Sequence, residues 1–296
     1  MQPNLSTTKT LEFGYAQVNG VRLHHASTGS GDLMIFLHGF PQFWYAWRHQ
    51  LSVFGRTHRA VAPDMRGYNL SSKPSDVEAY ALPILVEDVA ALMDHFGHRT
   101  ATLVGHDWGG VVAWEFAHAH PDRVKKLVII NAPHPAIFGR ELAHNPAQQQ
   151  ASQYIRLFRS AHAEDLLTAN NFARLVNLVI APGRRQGYFS QPDEDAYIAA
   201  WSQPGAITGS LNYYRAADFV PGMADPDTGE NDYPIFFAPT LIIWGEQDDV
   251  LLPGNLNGIE QYAPNVVIER VPNATHAIIH EQPEVINALI QRFLES

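Results

Sequence analysis

Asp107 stands in Gly105-His106-Asp107-Trp108-Gly109-Gly110, directly after an apolar run over residues 100–104 and at the start of a helix-like stretch. Small residues on both sides let a chain turn sharply from strand to helix, so that the central side chain stands clear at the carboxyl edge of a sheet with a helix N-terminus behind it. A carboxylate there is a candidate nucleophile. Taken alone, the same stretch also reads as a glycine-rich turn whose aspartate caps the next helix. Its partners shift the balance. His38-Gly39-Phe40-Pro41 follows another apolar run, where the Phe40 N–H can join that of Trp108 in holding an oxyanion, with His38, Gly39, Pro41 and His106 as scaffold around them. Asp248 follows a further run, adjacent to its rival Asp249, and His276 comes just after the next. Nucleophile, acid and histidine in the order 107, 248, 276 suit a histidine that activates water and an acid that orients it.

A sheet has to hold these positions. Residues 11–17 and 21–26 read as short strands joined across Asn19-Gly20, a pair that supplies the positive φ of a tight hairpin. Residues 33–37, 59–62, 100–104 and 126–130 are short continuous apolar runs, as expected of strands buried on both faces of a parallel sheet. Leu85, Val89, Leu92, Met93 and Phe96 recur at threes and fours, which predicts a helix ending near Gly97. The βαβ rhythm predicts an α/β fold with a mostly parallel, doubly wound sheet. From Pro133 to Pro234 it gives way to helical stretches broken at Pro182-Gly183, Pro192-Asp193 and Pro204-Gly205. It resumes at 240–244 and 266–270 and closes on an amphipathic helix over 283–294. The expected organisation is a core of residues 1–133 and 236–296 with a helical cap of residues 134–235 inserted.

With 296 residues, 46% of them apolar and 17% charged, the chain can bury a large core and is not a disordered one. It has no cysteine, which excludes disulfides, thiolate metal sites and a thiol nucleophile. A formal charge of −10 repels nucleic-acid phosphates and anionic membrane faces, so neither partner is expected. No run approaches the roughly 20 apolar residues of a membrane helix. The polar start lacks the basic and apolar regions of a secretory signal, and a cytoplasmic protein is expected. Fifteen histidines raise the question of metals or acid–base chemistry. His276 and His280 lie four apart, but Ala277 stands where a zinc-protease helix carries glutamate, so no metal is expected. His118 and His120, at the end of the helix after Asp107, are expected to complement its C-terminal dipole. Of the aromatic cluster Phe43, Trp44, Tyr45 and Trp47, one or two residues are expected to line a pocket, while Glu246 and Glu281 read as solvated or capping carboxylates.

The chain resembles the α/β-hydrolase epoxide hydrolases, with haloalkane dehalogenases as close relatives. The resemblance runs over almost the whole chain, through residues 38–47 (HGFPQFWYAW), 62–68 (APDMRGY), the Asp107 elbow, the inserted cap and the His276 loop. It implies that Asp107 is the nucleophile. A carboxylate that attacks a saturated carbon forms an ester, which water can open at the acyl carbon with His276 as general base and the Phe40 and Trp108 amides holding the oxyanion. Serine would form an inert ether. The family's Gly-x-x-Asp spacing from Gly245 selects Asp248 to orient His276; some relatives place the acid after the strand that ends here at Asn131, which has no charge to offer. The resemblance also implies two cap tyrosines as donors to the opening epoxide, Tyr154 and Tyr214, protonated at neutral pH with an ordinary pKa of about 10. Tyr214 is preferred to Tyr213 because the residue before the arginine is the family's donor. The expectation is therefore an enzyme that turns a small epoxide and water into a vicinal diol with no cofactor, as monomer or homodimer.

Two other readings compete. A haloalkane dehalogenase would use the same triad and the Trp108 indole for halide, but Phe40 stands where many such enzymes have asparagine and offers no side-chain donor. Fluoroacetate dehalogenases match less well, with Trp108 and Val111 where arginines hold the substrate carboxylate. A catalytically silent binding protein would usually lack part of the nucleophile, acid and base set, which is complete here. Cap side chains such as Phe158, Leu166, Phe172 and Trp201 would choose the substrate, and spacing does not fix which of them face a pocket.

Overall fold

The structure, a computed structural model, describes residues 10–221 and 233–296. Residues 1–9, and residues 222–232 of the inserted stretch, lie outside the described residues. Eight strands form one sheet: β1 (Glu12–Val18), β2 (Val21–Thr28), β3 (Leu33–Leu37), β4 (Arg59–Pro63), β5 (Ala101–His106), β6 (Val124–Ile130), β7 (Thr240–Gly245) and β8 (Val266–Val271), in the order β1-β2-β4-β3-β5-β6-β7-β8. The β1–β2 hairpin turns at Asn19 (φ 39°) and Gly20 (φ 75°), as the Asn-Gly pair predicts. β2 pairs antiparallel with β4, and from β4 to β8 every pairing is parallel. The chain steps outward from β3 to β4 and then crosses back to β5 on the far side of β3. That reversal opens a crevice beyond the carboxyl ends of β3 and β5, where such sheets bind ligands.

The apolar runs are continuous because both faces are covered. On β3, Leu33, Ile35 and Leu37 belong to one core and Met34 and Phe36 to another. The first core takes in α2 (Leu82–His95) and α3 (Trp108–Ala119), through Leu85, Val89, Val112 and Phe116. The second takes in α1 (Arg48–Phe54), α11 (Ile278–Glu281) and α12 (Pro283–Glu295), through Leu51, Phe54, Ile278, Ile286 and Ile290. The doubly wound α/β architecture expected from the periodicity is the one observed.

Between β6 and β7 the chain carries seven α-helices among the described residues: α4 (Pro135–His144), α5 (Pro146–Ala151), α6 (Tyr154–Phe158), α7 (Ala163–Leu175), α8 (Ala181–Gln186), α9 (Gln191–Trp201) and α10 (Ala206–Ala216). α7 is kinked where Asn170, Asn171 and Phe172 take left-handed φ values of 51°, 53° and 61°. A wide π-type turn follows over Val176–Ile180. Three polar contacts fasten these helices to the loops beyond the sheet. The Trp201 indole donates to the Pro41 carbonyl at 2.7 Å, the Tyr213 hydroxyl to the Arg66 carbonyl at 2.9 Å, and the Tyr45 hydroxyl to Asp193 at 3.0 Å. Among the described residues no helix is long and apolar enough to cross a membrane.

Candidate active site

Asp107 occupies the turn from β5 into α3 with φ 53° and ψ −127°, a conformation that non-glycine residues adopt at a cost of order 1–3 kcal/mol. Two glycines make room for it. A Cβ on Gly109 would overlap the Leu37 carbonyl, and a Cβ on Gly39 would overlap the Asp107 carboxylate itself. The turn therefore brings the carboxylate against the loop after β3, where the Phe40 N–H donates to Asp107 Oδ1 at 2.7 Å. The Trp108 N–H donates to the same carboxylate. The carboxylate thus already meets two backbone donors, the kind of groups that hold a tetrahedral oxyanion.

The other oxygen, Oδ2, faces His276 Nε2 at 3.5 Å. His276 Nδ1 lies 2.7 Å from Asp248 Oδ2. Asp248 is buried, with its Oδ1 accepting from the N–H groups of Val250 and Leu251 at 2.8 Å and its Oδ2 from the Asn131 amide at 2.6 Å. Adjacent Asp249 is exposed and does not share that role in the geometry. Burial alone would push the His276 pKa down, but Asp248 and Asp107 outweigh it and hold the imidazolium well above the ordinary histidine range. Burial likewise opposes the charge on Asp107, yet His276, His106 and the Trp108 N–H keep its pKa below the usual carboxylate value. The resting site is an imidazolium between two carboxylates.

The scaffold histidines are neutral. His38 is fully buried, which lowers its pKa; Met65 N–H donates to its Nε2 at 3.0 Å, leaving Nδ1–H to the Gly39 carbonyl at 3.0 Å. That pair of bonds fixes the loop carrying Phe40. His106 is lowered to about 4, first by burial and then by His276, and its Nε2 lies 2.8 Å from the His276 carbonyl. The His276 loop has a further clamp: Glu281 accepts from the Thr275 N–H at 2.8 Å and from its hydroxyl at 2.7 Å.

Opposite the carboxylate stand the two phenols. Tyr154 begins α6, Tyr214 lies in the last turn of α10, and their rings meet edge to face with centroids 6.0 Å apart. Arg159, just past α6, donates to the carbonyls of Tyr214 and Ala217, so one guanidinium ties the two helices together. Burial raises both phenol pKa values, and the Asp107 charge raises them further; a side-chain hydrogen bond from Trp108 reaches Tyr214. Tyr213 points elsewhere, onto the Arg66 carbonyl.

Asp107, Tyr154 and Tyr214 together bound two cavities. The larger, about 380 Å³, runs past Phe40, Phe158 and Val179 to a rim that includes Leu178, Gln186, Tyr188, Gln247 and Asp249. The smaller, about 30 Å³, ends against Val111, Phe138, Ile155 and Phe219. Sequence spacing gave no sign of the smaller lobe, because its walls come from α3, α4, α6 and the segment after α10. It also missed Asn131 as a partner of Asp248.

Several expectations change. None of Phe43, Trp44, Tyr45 and Trp47 lines either cavity; they pack on one another and on the core. His118 is not a cation at the helix dipole: it lies 2.8 Å from His134, and burial lowers it to about 4. Of the four cap side chains, Phe158 lines the larger lobe, Leu166 is 40% exposed, and Phe172 and Trp201 are buried against each other. Among the described residues no cluster of three or more histidine or carboxylate side chains is arranged to hold a metal ion.

Residues 32–283 match the alpha/beta hydrolase fold family. The chain is 34% identical over 285 residues to epoxide hydrolase 4 of Mus musculus, covering 94% of this chain and 77% of that protein. It is 35% identical to the AB hydrolase superfamily protein YfhM of Bacillus subtilis, over 95% of this chain and 97% of that one. The crystal structure of a Bacillus megaterium epoxide hydrolase in complex with an inhibitor superposes with a TM-score of 0.90 at 41% identity, over 96% of this chain and 100% of that chain. A variant of the same enzyme, complexed with its naphthyloxy-propanediol product, superposes with a TM-score of 0.91. By sequence and by fold, the chain belongs to the α/β-hydrolase family and, within it, to the epoxide hydrolases.

Proposed function

We propose that this protein hydrolyses epoxides to vicinal diols through a covalent ester on Asp107, with residues 134–235 acting as the cap that closes the site. The observation that carries the reading is that one cavity has a charged carboxylate, backed by His276 and Asp248, facing two phenols, that of buried Tyr214 and that of half-buried Tyr154. In the first step Tyr154 and Tyr214 hydrogen-bond to the epoxide oxygen while Asp107 Oδ2 attacks a ring carbon. The C–O bond breaks, and the departing oxygen takes a proton from a phenol. Oδ1 stays on the Phe40 N–H with the Trp108 N–H beside the same carboxylate, so the donors are in place before any oxyanion forms.

In the second step water attacks the acyl carbon as His276 takes one of its protons, and the ester oxygen, leaving as the tetrahedral intermediate collapses, takes up the other water-derived proton to become the second diol hydroxyl. The resting imidazolium is a poor base, and alkylation corrects that. Once Asp107 is an ester its charge is gone, one of the two carboxylates that hold the His276 proton is lost, and the histidine can surrender that proton, through water, to restore the phenol that donated in the first step.

Unequal lobes at the reacting centre favour an epoxide with one large and one small substituent. Asp107→Ala should abolish turnover, and His276→Gln should trap an adduct of substrate mass on Asp107. Incubation with an aryl glycidyl ether and, in parallel, 1-bromobutane distinguishes diol formation from halide release. Full diol production by Asp107→Ala would refute the covalent route.

A further inference from the structure

The larger lobe has an uneven electrostatic lining. Among the described residues that bound it there is no lysine or arginine, whereas three carboxylates reach it: Asp107, Asp249 and Glu281. Asp107 shares the single His276 imidazolium with Asp248. Among the described residues Glu281 accepts from the neutral N–H and hydroxyl of Thr275, which leave its charge uncompensated. Asp249 is exposed and makes no ion pair with a described residue. His106 and His280, buried in or behind the wall, are neutral because burial disfavours their charged forms. Of the described cations beside lining residues, none lines the lobe: Arg159 donates to the carbonyls of Tyr214 and Ala217, Arg48, which faces His280, pairs with Asp193 at 3.1 Å, and Arg185, beside Tyr188, is exposed. Inside the rim the walls are apolar, with Phe40, Phe158, Val179 and Val250. A ligand seated there places an apolar body against these side chains and its far end beside Asp249. Low-dielectric walls focus the field of such a charge along the cleft.

Resting on the epoxide-hydrolase reading, we propose that the larger lobe selects epoxides by charge. It takes those whose large substituent ends in an ammonium group ahead of neutral ones and turns away those that end in a carboxylate, with Asp249 as the discriminating residue. An exposed charge acting over several ångströms through partly aqueous surroundings is worth roughly threefold to tenfold in rate, and added salt weakens it. Asp249 therefore acts on selectivity, while the chemistry stays with Asp107, His276 and the phenols.

The test uses three terminal epoxides on the same alkyl chain, ending in trimethylammonium, hydroxyl or carboxylate. At low ionic strength kcat/KM should fall in that order, with at least a tenfold gap between the two charged substrates that narrows at 0.5 M salt. Asp249→Asn should shrink the ratio of cationic to anionic turnover and Asp249→Lys should reverse it, the ratio being insensitive to any general loss of activity. Equal turnover of all three, or a ratio that Asp249→Lys leaves in place, overturns the proposal. Failure to turn over even the hydroxyl-ended epoxide refutes the epoxide reading itself, and this inference with it.

Discussion

The Asn131 amide lies 2.6 Å from Asp248 Oδ2, the same oxygen that meets His276 Nδ1 at 2.7 Å. Asn131 also accepts from the Gly245 N–H at 2.9 Å and sits at φ 40°, a conformation asparagine tolerates better than most residues. Asn131→Ala removes a donor from a buried carboxylate and strands a buried N–H, which should cost about 1–3 kcal/mol of stability by denaturant titration. It should also make Asp248 hold the His276 proton harder. The pH at which ester hydrolysis becomes fast, measured on the isolated second step, should move up; an unchanged profile would remove Asn131 from that role.

The charge relation between Asp107 and His276 gives a spectroscopic prediction. In Asp107→Asn, which keeps the shape and removes the charge as the ester does, the His276 imidazole should titrate at lower pH than in the wild type. NMR of the ring protons reads this directly. Equal values in the two proteins would mean that Asp107 does not help hold the proton.

Stability should fall in acid, through several histidines at once. His38, His106, His134 and His280 are buried and His118 is half-buried, and all five bind protons less readily folded than unfolded, with His106 and His118 lowered to about 4. The unfolded chain takes up protons near 6.5 where the folded chain does not, so stability declines as pH drops from about 6.5 toward 4. Asp107 and Asp248, with depressed values, add stability above their unfolded value of 3.8 and lose it as pH falls through their folded values. His276 works the other way: its contribution is full below its unfolded value of 6.5 and is lost as pH rises through the raised folded value. Thermal melts should show a lower Tm at pH 5 than at pH 7.

Arg159 offers a way to disturb the phenols without touching the carboxylate. Its guanidinium holds the end of α10 to α6, and it lines neither cavity. Arg159→Met should slow ester formation about tenfold or more, since a misplaced donor weakens leaving-group stabilisation, while hydrolysis of the ester continues at its usual rate. Single-turnover kinetics separate the two steps. Replacing Tyr154 and Tyr214 together by phenylalanine should be more severe, on the order of 10² to 10⁴ in the first step.

Gly39→Ala tests the close approach at the elbow. The added methyl would occupy the place of the Asp107 carboxylate, so activity should be lost even if the protein still folds by circular dichroism. Retained turnover would show that the loop can yield.

Much of this was legible in the chain because local physics and the sheet agree. Leu33–Leu37 is a strand buried on both faces, and its unbroken apolar run says so; the Asn19-Gly20 hairpin and the Pro283–Glu295 helix announce themselves by turn and start residues. Asp107, Asp248 and His276 could be picked out because each lies just past a strand. His118 misled because helix position suggests a cation at a dipole, whereas its real neighbour, His134, comes from beyond the next strand. The aromatic cluster at 43–47 misled in the same way, since nearness in sequence to Phe40 does not decide which face of a loop meets the cavity. The smaller lobe and the unpaired charge at Asp249 depend on how distant helices close over the sheet, and no periodicity encodes that.

The carboxylate, the imidazole and the N–H donors all come from the edge of the sheet, whereas both phenols come from helices threaded between β6 and β7. In the proposed mechanism the donors to the epoxide oxygen are therefore inherited on a separate stretch of gene from the groups that attack the ring and cleave the ester. In the proposed reaction, exchanging residues 134–235 with those of a relative should retune which ring carbon is opened, and in what molecule, while acyl cleavage passes through the exchange intact. A lineage holding such a sheet edge can explore new substrates by recombination, without first losing the ability to free itself of the adduct.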